Sequence, residues 1–473
     1  MKHCLGCRAR GRGRTRGRPK RDVMSRTTPT RAGASGASTL RRPRWRTRDV
    51  WLISLSAFFS DTGYQAVWAG FPLFLVLDLH QPVWEFGLAS ALAYGGGTLF
   101  AWLGALLGDR FGHRRVAIGG NALIPLLSLS ALWANPSVAI GLLCAGWWAR
   151  NLRTPSRRVM LVEAAPDEDD RNSVFGFLHA LDIGGGALAG VYVLIAVIEH
   201  VAFSWIFLCS LVPLAAATFS LTRCTTGRVT PRRAEARDPG TTTEPRTSDP
   251  GTTSEPRTSE PGTTSGPGVR SMPGALPLLV ASALFGFTYY SLGFPILTAA
   301  QGGGDEAFGI GAFLLFNAMS AATGYTVAPR LGTGIAERFR DLGALGYLVA
   351  VIAAVLLAVG NAAHLTVGVL MVGVAALGFS LGVVTTVEPS LMSILRPGRQ
   401  AGRGFGALGA ARSVGLFLGN LIMGVLYGLG ADWAYGYAAI MGMAATAVVL
   451  GAIPLAQRAD EEARRRGLPA SAK

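Results

Sequence analysis

The chain alternates long apolar stretches with short arginine clusters. Six stretches contain no lysine or arginine, and each is interrupted once near its middle by a short polar or turn-forming segment. A transmembrane helix needs about 20 mostly apolar residues, so most stretches can hold two helices that cross and return. The pattern predicts an all-α membrane protein with twelve transmembrane helices. The stretches run from Arg48 to Arg110, Arg115 to Arg150, Arg171 to Arg223, Arg270 to Arg330, Arg340 to Arg396 and Arg412 to Arg458.

The segments that interrupt these stretches predict the orientation in the membrane. They contain acids, histidine, glycine, proline and asparagine but neither lysine nor arginine, as in residues 78–85, 135–137, 199–200 and 302–306. Positively charged loops stay on the cytoplasmic side of a membrane. The arginine clusters and both termini are therefore predicted to be cytoplasmic, in a multi-pass protein of the plasma membrane.

Composition favours a lipid bilayer, rather than nucleic acid, as the partner of the chain. Half of the residues are hydrophobic and 15% are charged, although the formal net charge is +16. The positive excess lies in membrane-flanking loops and in residues 1–48, where the densest arginine run has no interleaved aromatic residues to stack on bases. We predict no nucleic-acid partner and interpret residues 1–48 as a disordered basic cytoplasmic tail.

A repetitive polar segment divides the chain into two parts. Residues 239–265 repeat a Pro-Gly-Thr-Thr motif and contain no apolar side chain to bury, which is typical of a disordered loop. The predicted domains are the tail 1–48, a six-helix bundle 49–223, a cytoplasmic linker 224–272, a second six-helix bundle 273–457 and a cytoplasmic tail 458–473.

The two predicted bundles echo each other in the same chain direction, which indicates parallel repeats. Two six-helix bundles related by pseudo-two-fold symmetry around a central cavity are the expected architecture. The matches are Gly63 and 70–72 with Gly286 and 293–295, 109–111 with 337–339, and 175–176 with 405–406.

The segment Ala105-Leu-Leu-Gly-Asp-Arg-Phe-Gly-His-Arg-Arg115 resembles the signature loop of the major facilitator superfamily. With the paired bundles, the resemblance covers residues 49–457. It implies a gate in which Asp109 approaches a helix end and basic residues of the other bundle while the cavity is closed to the cytoplasm. The gating residues so implied are Asp109, Arg110, Gly112, Arg114 and Arg115, with Glu337 and Arg338 at the repeated position.

Arginine also occurs where the pattern predicts membrane. Only about 34 residues separate Arg115 from Arg150, short of the roughly 40 that two helices need. The fourth helix must therefore carry Arg150, Arg153 and Arg157, whose spacings of three and four place them on one face. Arginine facing lipid is costly, so we predict that Arg150 and Arg153 face the cavity or an acidic partner and bind substrate. Arg157 and Arg158 are interpreted as reaching the inner head groups.

Deep carboxylates are the second group of candidates. Asp182 is expected about 15 Å inside the fifth helix, near the midplane, and its repeat counterpart Arg412 is expected on the facing cavity wall. Asp61 is the other deep carboxylate, and Glu388 is a substrate-binding candidate together with Arg412. Asp61 and Asp182 are interpreted either as sites that load and release a proton or as members of fixed ion pairs.

Several neutral side chains are also candidates for substrate binding, and the sequence lacks motifs for binding ATP or a metal. Tyr64, Tyr289 and Asn317 are further substrate-binding candidates, with packing or interfacial roles as the alternative. The sequence has no GxxxxGK[ST] loop for ATP phosphates, and no third ligand completes a metal site with His179 and Asp182. We predict no enzymatic activity, no cofactor and no metal.

These features together predict a secondary active transporter that works by alternating access. Ser60-Asp61 followed by 70–72 resembles the first helix of exporter-like members of the superfamily, so proton-coupled export of a small organic or drug-like solute by a monomer is the leading hypothesis. One alternative is uptake or uniport of an organic anion held by Arg150, Arg153 and Arg412. Another is a non-transporting membrane receptor or scaffold.

Overall fold

The computed structural model describes residues 46–165, 171–226, 274–288, 291–327, 330–332, 334–363, 366–396 and 401–465, which form helices joined by short turns. Most are α-helices, and the 3-10 helix Ile124–Leu132 follows directly on one of them. Most of the predicted tails and linker lie outside these residues, and so does Tyr289. The helices of the first half are α1 Arg48–Leu73, α2 Val83–Phe111, α3 His113–Leu123, α4 Pro136–Ala164, α5 Arg171–Ile198, α6 Phe203–Cys209 and α7 Leu211–Thr222. Those of the second half are α8 Ala275–Thr288, α9 Gly293–Gly303, α10 Glu306–Thr326, α11 Ile335–Asp341, α12 Leu348–Ala362, α13 Val367–Leu395, α14 Ala401–Leu429, α15 Ala431–Gly451 and α16 Ile453–Arg465.

Ten segments in the described part of the chain are long and apolar enough to cross a membrane, against the twelve that the sequence predicts. The two long helices that are not among the ten are α1 and α4, of 26 and 29 residues. α1 carries Asp61 near its middle, and α4 carries Arg150, Arg153 and Arg157. The charges of α1 and α4 therefore lower their apolar character below that of the other spans.

Polar side chains fix where several helices begin. Asn135 Oδ1 accepts the N–H groups of Ser137 and Val138 at 3.0 and 3.2 Å, and so caps α4. Asp305 Oδ1 accepts the N–H of Ala307 at 2.8 Å and caps α10 in the same way. Both caps lie in the polar interruptions of the apolar stretches, so the turns predicted there are confirmed.

Glycine lets helices within each half approach closely. A Cβ added to Gly104 of α2 would lie 1.9 Å from the carbonyl oxygen of Leu152 in α4. A Cβ added to Gly415 of α14 would lie 2.1 Å from the carbonyl oxygen of Ala283 in α8. These backbone contacts bring polar side chains of neighbouring helices within reach of each other.

The two halves contact each other at one end of the helices. We call the end with the turn at Gly112 and the start of α11 the arginine-rich end, and the end with the turn at Asn135 the opposite end. Near the opposite end, a Cβ added to Gly87 of α2 would lie 2.6 Å from the Cα of Gly424 in α14. The rings of Phe86 and Phe294 meet edge to face there, with centroids 5.2 Å apart. The halves are thus packed backbone to backbone at the opposite end.

Towards the arginine-rich end, α2 and α14 move apart. Thr98 Oγ1 of α2 and Ser413 Oγ of α14 share a hydrogen bond. Gly409 and Gly406 follow Ser413 on the same side of α14, at spacings of four and three, yet a Cβ on either would meet nothing within 4 Å beyond its own helix. On α2, Trp102 and Leu106 lie one and two turns beyond the contact with Ser413 and are 59% and 47% exposed. A space between the halves therefore widens towards the arginine-rich end.

We expect Gly424→Ala to weaken the closed contact at the opposite end. The new Cβ would lie 2.8 Å from the Cα of Gly87, which has no side chain to move aside, and overpacking of this kind costs about 1–3 kcal/mol, or roughly 5- to 150-fold in the equilibrium. Spin labels at the exposed Trp205 and Trp433, one in each half, should report longer distances. Gly428→Ala is the matched control, because a Cβ there meets nothing within 4 Å; an equal shift in the control would contradict the prediction.

Candidate functional site

Two carboxyl groups meet between α1 and α5. Asp61 is 5% exposed, the side chain of Asp182 is 27% exposed, and the two acidic side chains are neighbours where α1 packs on α5. Gly185 permits this approach, because a Cβ there would lie 2.3 Å from the carbonyl oxygen of Phe58 and 3.2 Å from the Cβ of Asp61. The two residues predicted separately from two helices thus form one group.

Arg157 belongs to this group, so its interpretation as a head-group anchor is wrong. Its side chain is 7% exposed, and Nη2 lies 3.6 Å from Asp182 Oδ1. This distance is too long for a hydrogen bond, and Arg157 Nε and Nη1 have no hydrogen-bond partner in the described chain. Arg157 and Asp182 form a loose ion pair. Arg158, which follows it, is exposed as expected.

Arg153 is enclosed by protein and joins three helices. It is 1% exposed, and its Nη1 donates to Ser60 Oγ of α1 at 2.7 Å and to Asn121 Oδ1 of α3. Asn121 in turn donates to Thr218 Oγ1 of α7 at 2.8 Å. Arg153 therefore binds protein side chains in this structure, and almost none of its surface is open to a solute.

Arg150 differs from the other two arginines of α4. Its guanidinium lies over the ring of Tyr64 at 4.8 Å and the ring of Trp147 at 4.9 Å. Within the described chain its side chain makes no hydrogen bond, and its Nε is buried without a partner. Arg150 is half-buried, whereas Tyr64 beneath it is 2% exposed. Tyr64 therefore supports Arg150 and is itself covered.

An aromatic cluster extends from this platform. Trp68 stacks on Trp147 with centroids 4.5 Å apart, and Tyr94 meets both rings edge to face at 5.4 and 5.5 Å. Such pairs fix ring positions beyond what area burial alone provides. The cluster holds Arg150 on a rigid apolar surface.

The second half contains a tighter charged cluster. Glu388 of α13 is 0% exposed and accepts three hydrogen bonds. Ser282 donates to Oε2 at 3.0 Å, Tyr347 donates to Oε1 at 2.6 Å, and Arg412 donates to Oε2. The Glu388 carboxylate is fully satisfied, and the Arg412 side chain is 21% exposed.

The two ion pairs occupy equivalent helix positions with reversed charge. Arg157 and Glu388 each lie 21 residues after the first residue of a 29-residue helix, α4 or α13. Asp182 and Arg412 each lie 11 residues after the first residue of α5 or α14. Asp182 and Arg412, which the sequence repeat predicted to be equivalent, therefore occupy the same position in α5 and α14. They do not pair with each other, because each forms an ion pair within its own half.

The predicted gate loop is a tight turn at the arginine-rich end. Gly112 has φ 92°, which favours glycine. The Asp109 side chain is 76% exposed, and its carboxylate lies 3.5 Å from His113 Nε2. Arg114 donates to the carbonyl oxygens of Cys224 and Thr222 at 3.0 and 2.6 Å. These contacts stay within the first half, and the predicted latch between halves remains a prediction for the state closed at this end.

The remaining gate and substrate candidates have local contacts. Arg110 lies over the ring of Phe111 at 5.4 Å, and Arg115 is exposed. Glu337 Oε2 accepts the N–H of Gly334 at 3.3 Å, and Arg338 donates to Ser390 in α13. Asn317 is half-buried and donates to the carbonyl oxygen of Phe313 at 2.8 Å.

Sequence reasoning found the charged residues of both clusters but missed their neutral partners. Ser60, Asn121, Ser282 and Tyr347 each bind a buried charge. The sequence could have indicated Asn121, because a side-chain amide within an apolar stretch needs a hydrogen-bond partner. Serine and tyrosine occur in many membrane spans without binding a charge, so the sequence did not indicate Ser60, Ser282 or Tyr347.

A comparison of sequences assigns the family. The profile described as Major Facilitator Superfamily matches residues 53–387. The chain therefore belongs to the major facilitator superfamily of transporters and is a multi-pass membrane protein. The resemblance of the 105–115 loop is confirmed. No curated protein sequence matches the chain.

Solved structures share the fold at low sequence identity. A POT family transporter bound to a thioalcohol-conjugated peptide is 14% identical, with a TM-score of 0.66 over 87% of this chain and 96% of that one. A D-xylose-proton symporter is 13% identical, with a TM-score of 0.62 over 85% and 96%. A nucleoside transporter is 12% identical, with a TM-score of 0.62 over 84% and 99%. These likenesses concern the fold alone.

Proposed function

We propose that this member of the superfamily is a proton-coupled secondary active transporter that works by alternating access. The observation that carries the proposal is the contact between Asp61 and Asp182 beside the loosely held Arg157. Two carboxyl groups in contact are more stable when one of them carries a proton. Asp182 is partly exposed, which gives this proton a route to water as the space between the halves opens and closes.

The contrast with the second half supports this division of roles. Glu388 is fully buried and receives three hydrogen bonds, including one from Arg412. These three donors compensate the buried charge of the Glu388 carboxylate. Proton exchange therefore belongs to Asp61 and Asp182, and the Glu388 cluster holds α8, α13 and α14 together.

The proposal includes twelve spans in two six-helix bundles, with α1 and α4 crossing the membrane alongside the ten apolar segments. Burial of Asp61, Arg153 and Arg157 among facing side chains supports this, because their charges are shielded from lipid. With the arginine-rich end in the cytoplasm, the widening space opens inwards. The plasma membrane is the proposed location.

Export of a small organic solute is the proposed direction, and transport measurements test it. In cells that express the protein, export predicts that a protonophore raises accumulation of the solute, whereas uptake predicts lower accumulation. Proteoliposomes with an imposed pH gradient should show gradient-driven flux of a solute found by a ligand-stability screen. Binding without flux under any gradient would overturn the proposal and favour a receptor.

A further inference from the structure

We infer that Arg150 binds an anionic group of the transported solute, and that the solute is an organic anion with an apolar body. The inference rests on the proposed function and names the substrate class of the same site. Three arginines share one face of α4, and their partners separate their roles. Arg153 is occupied by Ser60 and Asn121, and Arg157 pairs with Asp182. Within the described chain, Arg150 alone of the three has neither a hydrogen-bond acceptor nor a carboxylate within ion-pair distance, and its charge acts on Asp61 only from further away.

The charge balance of the cluster also requires an anion. Arg150, Arg153 and Arg157 face two carboxyl groups, Asp61 and Asp182. One positive charge therefore remains when both acids are ionised, and two remain when they share a proton. A positive charge within a membrane protein is stabilised by a partner of opposite sign. A solute carboxylate or similar anionic group supplies that partner.

The position of Arg150 suits capture of a planar anion. The rings of Tyr64 and Trp147 contact the guanidinium through cation–π interactions, which leave the two terminal Nη groups available to donate, whereas Nε is buried. A guanidinium held in this way presents a donor fork that matches a carboxylate. The half-buried Tyr94, which packs against Trp147, offers part of an apolar surface for the rest of the solute.

The second half does not offer an equivalent site. Arg412 donates to the buried Glu388, so the charge of that cluster is already balanced. The organic-anion hypothesis from sequence grouped Arg150, Arg153 and Arg412. The structure separates them, because Arg153 and Arg412 both have protein partners.

Binding of matched acids and amides to the purified protein tests the inference. The probes are benzoate and benzamide, 1-naphthoate and 1-naphthamide, and indole-3-acetate and indole-3-acetamide. Each pair has nearly the same shape and differs in charge. We expect the acids to stabilise the wild type against thermal unfolding and the amides to do so weakly. We expect Arg150→Gln to lower acid affinity roughly 10- to 150-fold, and Arg150→Lys to retain part of it, because lysine keeps the charge but loses the fork.

Arg158→Gln is the matched control, since Arg158 lies on the same helix and is exposed. It should bind the acids as the wild type does. Equal affinity for acids and amides throughout the panel, or acid binding unchanged in a folded Arg150→Gln, would overturn the inference. Failure of the proposed function has a different signature: acids would still bind through Arg150, but no solute flux would follow the proton gradient.

Discussion

Replacing Asp61 with asparagine is expected to abolish proton-driven transport in a protein that still folds. The amide has nearly the shape of a protonated carboxyl group and can donate to Asp182, so the contact between α1 and α5 is kept. It cannot release a proton, and the coupling step is lost. In proteoliposomes, accumulation driven by a pH gradient should fall to background, while exchange of solute across the membrane without a gradient persists.

Two further variants control this experiment. Asp182→Asn should give the same loss, because the two carboxyl groups act as one site. Asp78→Asn should behave as the wild type, since Asp78 is exposed near the opposite end. Gradient-driven accumulation retained in both Asp61→Asn and Asp182→Asn would exclude this pair as the proton site.

Arg412→Gln is expected to reduce the free energy of unfolding by about 3–5 kcal/mol, because removal of one partner leaves a buried charge uncompensated. Glu388 is 0% exposed and would keep only the neutral donors Ser282 and Tyr347. Equilibrium unfolding of the purified protein in mixed micelles measures the loss. The double variant Glu388→Gln with Arg412→Gln should recover much of it, since no unpaired charge remains.

Arg157→Gln, in the corresponding ion pair of the first half, provides the comparison. Its partner Asp182 is 27% exposed and makes no hydrogen bond to Arg157 at 3.6 Å, so the expected loss is smaller than in Arg412→Gln. Equal losses in the two variants, or a double variant no more stable than Arg412→Gln, would contradict the division between a loose proton-carrying pair and a tight structural pair.

The helices could be predicted from sequence because their ends carry strong signals. Apolar stretches bounded by arginine, and interrupted at Asn135 and Asp305, predicted turns that the caps of α4 and α10 confirm. Membrane helices satisfy their backbone internally, so the apolar pattern reports them directly. The pattern also predicted twelve spans, and ten segments in the described part of the chain are long and apolar enough to be spans.

The candidate site was predictable only in part. The position of a charged residue in the sequence indicates how deep it lies in the membrane, but it does not indicate which residue it pairs with. Spacing correctly placed Arg150, Arg153 and Arg157 on one face, yet Arg157 was assigned to the head groups although it pairs with Asp182. Whether an arginine reaches a head group or a carboxylate depends on how α4 and α5 pack. That packing is set by close contacts such as the one at Gly185, which no charge pattern records.

The charges of α4 also bear on how the chain enters the membrane during synthesis. An arginine at the centre of an inserting helix costs about 2.5–3.5 kcal/mol, and α4 carries Arg150, Arg153 and Arg157. When α4 leaves the ribosome, Asp61 of α1 has been made, but Asp182 of α5 has not. Stable integration of α4 therefore needs α1 beside it at the translocon and is completed when α5 arrives. The carboxyl groups proposed to carry protons thus also act in assembly, because they offset the free-energy cost of inserting the arginines of α4 into the bilayer.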